Sequence, residues 1–295
     1  MKKKVAFTFL FFMLMLLAAF PANDKKLYRQ ADVHFANREW NEALMIYDKL
    51  LVTDKKNVSL YVGAIVSASE VKSPQSVLHY IELSEANGVS LDSLFVSVDR
   101  KSRILRNSAI YENMLLMMKQ QQPWLKSLIN RYLLNYYLFR HDSEGVIAVT
   151  GELLEQLPDN MDFLKARGDA LFEVGRERES VEYFNRMLEI DDKNLDAYIF
   201  LGIYNFWKGS LEMKKINNEF NRLVTPTRMQ YASHRKKQRD LLDTRFAASE
   251  KYLEKALAIK PTPYIRDVLY NIYVQRSEVD KAQAIKRAKA RKQLL

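Results

Sequence analysis

The chain has 295 residues, of which 48% are hydrophobic and 28% are charged, a balance that excludes an intrinsically disordered protein. Its 8 glycines and 7 prolines disfavour a turn-rich β fold, and the absence of cysteine excludes disulfides, thiolate metal sites and cysteine nucleophiles. The formal charge of +10 is uneven, because residues 208–295 hold 21 Lys/Arg against 9 Asp/Glu, which predicts an interaction surface in the last third.

The N-terminus has the three parts of a secretory signal peptide. Lys2, Lys3 and Lys4 precede an apolar run over residues 5–20, and small and polar residues follow at 21–24. The run is shorter than the roughly 20 residues of a membrane span. We therefore predict a signal peptide over residues 1–22, with an uncleaved anchor as the alternative. Both interpretations predict export, to the periplasm or cell envelope of a Gram-negative bacterium.

From residue 24 onward the chain repeats with a period of about 34 residues, a length typical of stacked helix–turn–helix repeats. The clearest block places small, aromatic and aliphatic residues at set offsets: Leu164, Gly168, Leu171, Gly175, Ser180, Tyr183, Phe184 and Leu188. Tyr198 and Gly202 begin the same pattern again one period later. The chain resembles the tetratricopeptide repeat (TPR) family, which implies an all-α fold, an α-solenoid of stacked helix pairs.

Successive blocks of the chain match the repeat pattern to different degrees. Residues 24–91 fit two TPR-like repeats. Residues 92–126 fit poorly, although apolar residues recur at helical spacing, so we predict an irregular helical connector there. Residues 127–295 return to the repeat register. Together these blocks predict five or six repeats in one continuous superhelix.

The repeat that begins near Tyr198 is interrupted, because its second helix arrives about 35 residues late, roughly one full period. We predict a basic helical insertion at about residues 209–243, forming two helices that extend from the solenoid. Its densest positive charge is the set Arg235, Lys236, Lys237 and Arg239. One interpretation is the solvated face of a long hairpin. The other is a docking element for an acidic protein or for anionic lipid headgroups.

The TPR resemblance also implies a concave groove lined by the first helix of each repeat. Mapped onto this chain, the implied partner-binding residues are Arg131, Asn135, Phe139, Lys165, Asp169, Phe172, Phe206 and Trp207. Arg131 and Asn135 resemble half of a carboxylate clamp, but Ala166 stands where an asparagine would continue it. The aromatic members suit an apolar or extended peptide. The alternative is that some of them pack between repeats.

No catalytic pattern stands out, since the four histidines share no motif and the glycines form no phosphate-binding loop. We predict a non-enzymatic protein–protein interaction scaffold or assembly adaptor, without cofactor or metal, that binds a partner or peptide on the concave face. The alternative is a peripheral membrane-surface component whose basic last third contacts anionic lipid or an acidic partner. Nucleic acid is not an expected partner of an exported protein, and the sequence does not fix the oligomeric state.

Overall fold

The computed structural model describes the backbone of residues 22–293 and the side chains of residues 25–288. The predicted signal segment lies outside these residues apart from Ala22. Within residues 22–293 the chain contains helices and turns but no strand, so the predicted all-α class is confirmed. No helix in this range combines the length and apolarity needed to cross a membrane.

Seven pairs of consecutive helices follow one another along the described chain. They are α1 (Ala22–Ala36) and α2 (Trp40–Thr53); α3 (Val58–Glu70) and α4 (Pro74–Ala86); α5 (Leu91–Ile104) and α6 (Ala109–Gln121); α7 (Lys126–Arg140) and α8 (Ser143–Gln156); α9 (Met161–Glu173) and α10 (Glu177–Ile190); α11 (Leu195–Asn221), paired with α12 (Arg228–Leu241) and α13 (Ala247–Ile259); and α14 (Pro263–Gln275) and α15 (Val279–Gln293). The expectation of five or six repeats is therefore too low.

The chain divides into two compact units between Tyr136 and Tyr137, within α7. Each unit has its own buried core. The first is centred on large side chains from α3, α5 and α6: Tyr61, Ile65, Phe95, Met114 and Met118. The second includes Phe184, Phe246, Leu253, Leu269 and Ile272, all 1% exposed or less. The predicted division at residues 91 and 126 and the predicted single superhelix stay predictions.

The repeat period is most regular in the backbone of the turns inside the pairs. Six turn residues have a positive φ between 54° and 80°: Arg38, Lys72, Arg106, His141, Gly175 and Ser277. The first three are spaced by one period each, as are His141 and Gly175. In each turn the next residue donates its N–H to the carbonyl five positions before it, at 2.8–3.0 Å. This is the hydrogen bond of a Schellman motif, which ends a helix in the left-handed conformation.

The pair α5 and α6 differs from the irregular helices that we expected over residues 92–126. Both helices are regular, with 14 and 13 residues, and their turn at Arg106 lies one period after Lys72. The side chains explain why the sequence pattern is weak. Asp99 and Tyr111 occupy the positions where the clearest repeats place two small residues. Asp99 forms an ion pair with Arg103 at 2.6 Å, and Tyr111 is 4% exposed in the core.

The pairs that begin at residues 161 and 195 share one packing arrangement. In the first, the Ser180 hydroxyl donates to the Gly168 carbonyl at 2.7 Å. In the second, the Ser249 hydroxyl donates to the Gly202 carbonyl at 2.6 Å. The two bonded positions are separated by 12 in the first pair and by 47 in the second, so the second pair is longer by 47 minus 12, or 35. This agrees with the insertion length predicted from the sequence.

The additional residues extend both helices of one repeat. Gly209 lies one period after the turn residue Gly175, yet α11 continues through it as helix to Asn221. Thr227 and Gln230 then form a capping box that starts α12. The returning helix passes through a π-helical segment, Leu242–Phe246, before α13 resumes the repeat. The insertion is therefore a helical hairpin that replaces one turn.

Candidate functional site

The second unit presents a row of aromatic rings on α9 and α11. Phe172 lies in the last turn of α9, and Phe200, Tyr204 and Trp207 lie along one face of α11. The Phe172 ring centroid is 5.4 Å from that of Phe200, 6.4 Å from that of Tyr204 and 5.9 Å from that of Trp207, each in an edge-to-face arrangement. Trp207 is 39% exposed, and the other three rings are half-buried. We call these four residues the aromatic face.

A buried ring supports the aromatic face from behind. Phe184 of α10 is 1% exposed and stacks on Phe200 with ring centroids 3.7 Å apart. Phe184 also fills the space above Gly168, where an added Cβ would lie 2.8 Å from the ring. Because Phe200 is held between this core ring and Phe172, the face is fixed in place before any partner binds.

Both lysines beside the aromatic face have an acidic partner. Lys165 and Asp169 lie one turn apart on α9 and form an ion pair at 2.6 Å. Lys208 lies 5.2 Å from the Trp207 ring centroid and pairs with Glu177 at 2.6 Å. The hydrogen bond from Lys208 to Glu177 raises the pKa of this lysine. The face therefore presents its rings without an unpaired lysine beside them.

The structure brings together some of the predicted binding residues and separates others. Phe172 and Trp207 meet at the aromatic face, with Lys165 and Asp169 on the same helix as Phe172. The Phe206 side chain points in a different direction from that of Trp207, because consecutive residues of a helix are about 100° apart. Its ring packs edge-on against buried Phe246 at 6.0 Å. This is the packing alternative that the sequence left open.

Two rings of the aromatic face, Phe200 and Tyr204, are not among the predicted binding residues. The sequence contains the signal that would find them, because aromatic residues at 200, 204 and 207 follow the four- and three-residue spacing of one helix face. Phe184 contributes from the second helix of its pair, so only its packing on Phe200 connects it to the site.

The predicted residues of α7 are exposed. Arg131 and Asn135 lie one turn apart in the first unit. Phe139, in the second unit, is 61% exposed. Their role in partner binding stays a prediction.

The predicted basic residues lie on α12, in the inserted hairpin. Arg235, Lys236, Lys237 and Arg239 are all exposed, and none of them forms an ion pair with a described residue. The inner side of the hairpin is closed by other groups: Phe220 stacks on His234 at 4.1 Å, and the Asn217 side-chain oxygen accepts from Gln238 at 2.8 Å. The cations are therefore not needed to hold the two helices together.

The part of the chain that the structure describes contains no group of three His, Asp or Glu side chains placed to hold a metal ion. The titratable groups with shifted pKa values are explained by burial or by ion pairs. For example, burial and a hydrogen bond to Asp48 raise the pKa of Tyr80.

No protein-family model matches the sequence, and no curated protein is significantly similar to it. Several solved structures are similar to the chain. A candidate protein-binding protein from Bacteroides ovatus is 22% identical with a TM-score of 0.49, over 76% of this chain and 100% of that one. A TPR protein from Bacteroides fragilis is 14% identical with a TM-score of 0.35, and the match covers 85% of this chain and 98% of that one. The C-terminal part of a TPR protein from Cytophaga hutchinsonii is 12% identical with a TM-score of 0.44, and the match covers 88% of this chain and 92% of that one. Similarity at this level does not extend to ligands or partners.

Proposed function

We propose that the protein is a non-enzymatic interaction scaffold or assembly adaptor that binds an extended peptide segment of another protein on the aromatic face. The observation that carries this proposal is the row of partly exposed rings, in which Trp207 is 39% exposed and Phe200 is held by buried Phe184. Tryptophan and tyrosine are the side chains that most often dominate the affinity of protein interfaces. A surface that is rigid before binding loses little conformational entropy when a peptide docks.

The surroundings of the aromatic face indicate the chemistry of the peptide. Lys165 and Lys208 are neutralised by Asp169 and Glu177, so no uncompensated cation is aimed at a terminal carboxylate. We therefore propose that an apolar or aromatic side chain of the peptide packs against Trp207 and Phe172. No cofactor or metal takes part in this function.

Selection of binding peptides from a displayed random library tests the proposal even while the natural partner is unidentified. Peptides selected on the wild-type protein should lose at least about tenfold in affinity for Trp207→Ala. Trp124→Ala is a matched control, because Trp124 is 75% exposed on a short 3-10 turn of the first unit and its loss should change nothing. Peptides that bind Trp207→Ala as tightly as the wild type would contradict this site.

We also propose that the protein acts in the cell envelope after export. The support is the basic start and short apolar run of residues 1–22. A fusion of alkaline phosphatase after residue 295 should be active in cells if the chain is exported, and inactive if it stays in the cytoplasm.

A further inference from the structure

We propose that the tip of the inserted hairpin binds an anionic lipid bilayer, with apolar side chains entering the interface and cations of the two hairpin helices contacting the headgroups. The hairpin tip is formed by Leu223, Val224, Met229 and Tyr231, at the end of α11 and the start of α12. This site is separate from the aromatic face and does not depend on the peptide-binding proposal.

Two apolar side chains of the hairpin tip, Val224 and Met229, project into solvent, whereas the Tyr231 ring packs edge-on against Phe220 at 5.0 Å. Val224 is 96% exposed and Met229 is 83% exposed, the two largest values among the exposed large hydrophobic residues of the described chain. The turn is closed instead by polar contacts: Thr227 accepts from the Gln230 N–H at 3.3 Å, and the Gln230 side chain accepts from the Thr227 N–H at 2.8 Å. Single exposed apolar residues are common, but a cluster of them at the end of a projection marks an interaction site.

Positive charge that forms no ion pair with a described residue runs along the hairpin, from Arg222 and Arg228 near the tip to Lys214 and Arg239 toward the base. Residues 214–239 contain eight cations and one acid, Glu219, a formal net charge of +7, and the acids Glu212 and Asp240 flank this stretch toward the base of the hairpin. All eight cations are exposed: Lys214, Lys215, Arg222, Arg228, Arg235, Lys236, Lys237 and Arg239. None forms an ion pair with a described residue, whereas Lys208 and Arg276 elsewhere in the unit are paired.

The hairpin carries the tip away from the core of its unit. No residue between 210 and 240 is buried, but Met213 and Ile216 are half-buried against the core of the unit, and beyond them the two helices pack on each other. The base is marked by Gly209, whose added Cβ would lie 3.0 Å from Phe246. From Ile216 to the end of α11 the helix spans about 8 Å at the rise of an α-helix. The tip therefore lies beyond the last contacts of the hairpin with the core of its own unit.

A bilayer fits these features better than an acidic protein does. An anionic membrane offers phosphates to the cations and an apolar interior to Val224 and Met229 at the same time, without a shaped pocket. An acidic protein would neutralise the cations, but it would need a cavity for each apolar side chain. Exposed cations along the hairpin together with apolar side chains at its tip are typical of protein segments that bind membrane surfaces.

Co-sedimentation with lipid vesicles tests the proposal on residues 23–295, which retain both cores and omit the apolar signal segment. The protein should sediment with vesicles of mixed phosphatidylglycerol and phosphatidylcholine at low salt, and it should be released by high salt or by pure phosphatidylcholine. Replacing the tip by Val224→Ser with Met229→Ser should weaken binding about tenfold without altering any charge. Arg235→Gln, Lys236→Gln, Lys237→Gln and Arg239→Gln together should abolish it.

The matched control is Met45→Ser with Val52→Ser on α2, which removes the same two residue types from other exposed sites, 62% and 68% exposed, and should leave sedimentation unchanged. Retention of circular dichroism by all variants excludes unfolding as the cause. Wild-type binding by the tip variant would overturn the proposal. So would binding to soluble poly-glutamate without binding to anionic vesicles, which would indicate an acidic protein partner.

Discussion

The helix pairs that begin at residues 161 and 195 share the same packing contacts but differ in how their two helices are connected. Both join a glycine carbonyl to a serine hydroxyl at 2.6–2.7 Å, and both place a large buried residue four positions after the serine, Phe184 in one and Leu253 in the other. In the first pair Gly175 closes the turn with a φ of 80°. In the second, Gly209 is helical and the chain makes a hairpin before it returns.

The difference shows which part of the repeat is fixed by packing. Contacts between the two helices of a pair depend on the glycine, the serine and the large residue after it, and these contacts are kept across the whole insertion. The turn has no side chain in the core, so it can be replaced by a hairpin without changing the contacts below it. New surface can therefore be added at one end of a repeat that remains intact.

Removal of the large buried residue should have the largest effect in both pairs. We expect Phe184→Ala to lower the free energy of unfolding by about 3–5 kcal/mol and Leu253→Ala by about 2–5 kcal/mol, since each leaves a cavity beside a glycine. Urea denaturation followed by circular dichroism measures both. Leu157→Ala, at a position 40% exposed, is the control and should cost less than about 1 kcal/mol. A negligible cost at Leu253 alone would show that the interrupted repeat is not packed like its neighbour.

Phe184→Ala should also affect peptide binding, because Phe184 holds Phe200 in the aromatic face. Leu253→Ala should leave peptide affinity unchanged, since Leu253 packs on Gly202, about 200° around α11 from Phe200 and Tyr204. This contrast separates the two buried residues by function as well as by stability.

Loss of the serine hydroxyls should have a moderate and equal effect. Ser180→Ala and Ser249→Ala each remove a buried hydrogen bond, and we expect each to lower the free energy of unfolding by about 1–2 kcal/mol. The same denaturation experiment compares them. If only Ser180→Ala lowers the free energy of unfolding, the hydrogen bond at Gly202 does not stabilise the repeat that carries the hairpin.

The sequence predicted the repeat period and the length of the insertion because the packing residues recur as identifiable side chains, such as Gly168 and Gly202. It did not predict the regular pair α5 and α6, because Asp99 and Tyr111 replace the small residues on which the pattern depends. There the period is kept by the backbone turn at Arg106, and a positive φ at arginine leaves no mark in the sequence.

Substitutions in the turns should have the smallest effect on the free energy of unfolding, and some of them should raise it. His141 and Arg106 hold φ values of 54° and 55°, which cost a residue with a Cβ more than they cost glycine. We expect His141→Gly and Arg106→Gly each to stabilise the protein by about 0.5–1 kcal/mol, visible as a higher thermal midpoint. Gly175→Ala should do the reverse by about 1 kcal/mol. Destabilisation by both glycine substitutions would show that the side chains, rather than the backbone, fix these turns.

The candidate site was partly predictable for a related reason. Phe172 and Trp207 follow from repeat positions, and the structure brings their rings within 5.9 Å. Phe206 was equally plausible from its position, but its partner Phe246 lies on the far side of the insertion, where the chain returns to the repeat. A contact that depends on where an insertion returns cannot be located from repeat spacing.

The most direct test of the modular insertion is deletion of residues 210–244, which joins Gly209 to Arg245 as Gly175 joins Arg176. The deletion removes one buried side chain, Leu241, and the half-buried Met213, Ile216 and Leu242 at the edge of the core. We predict a protein that loses only the helicity of the removed residues, unfolds cooperatively and binds peptides as before, but no longer sediments with anionic vesicles. Loss of cooperative unfolding would contradict the account, because the hairpin would then be part of the fold rather than an addition to one turn.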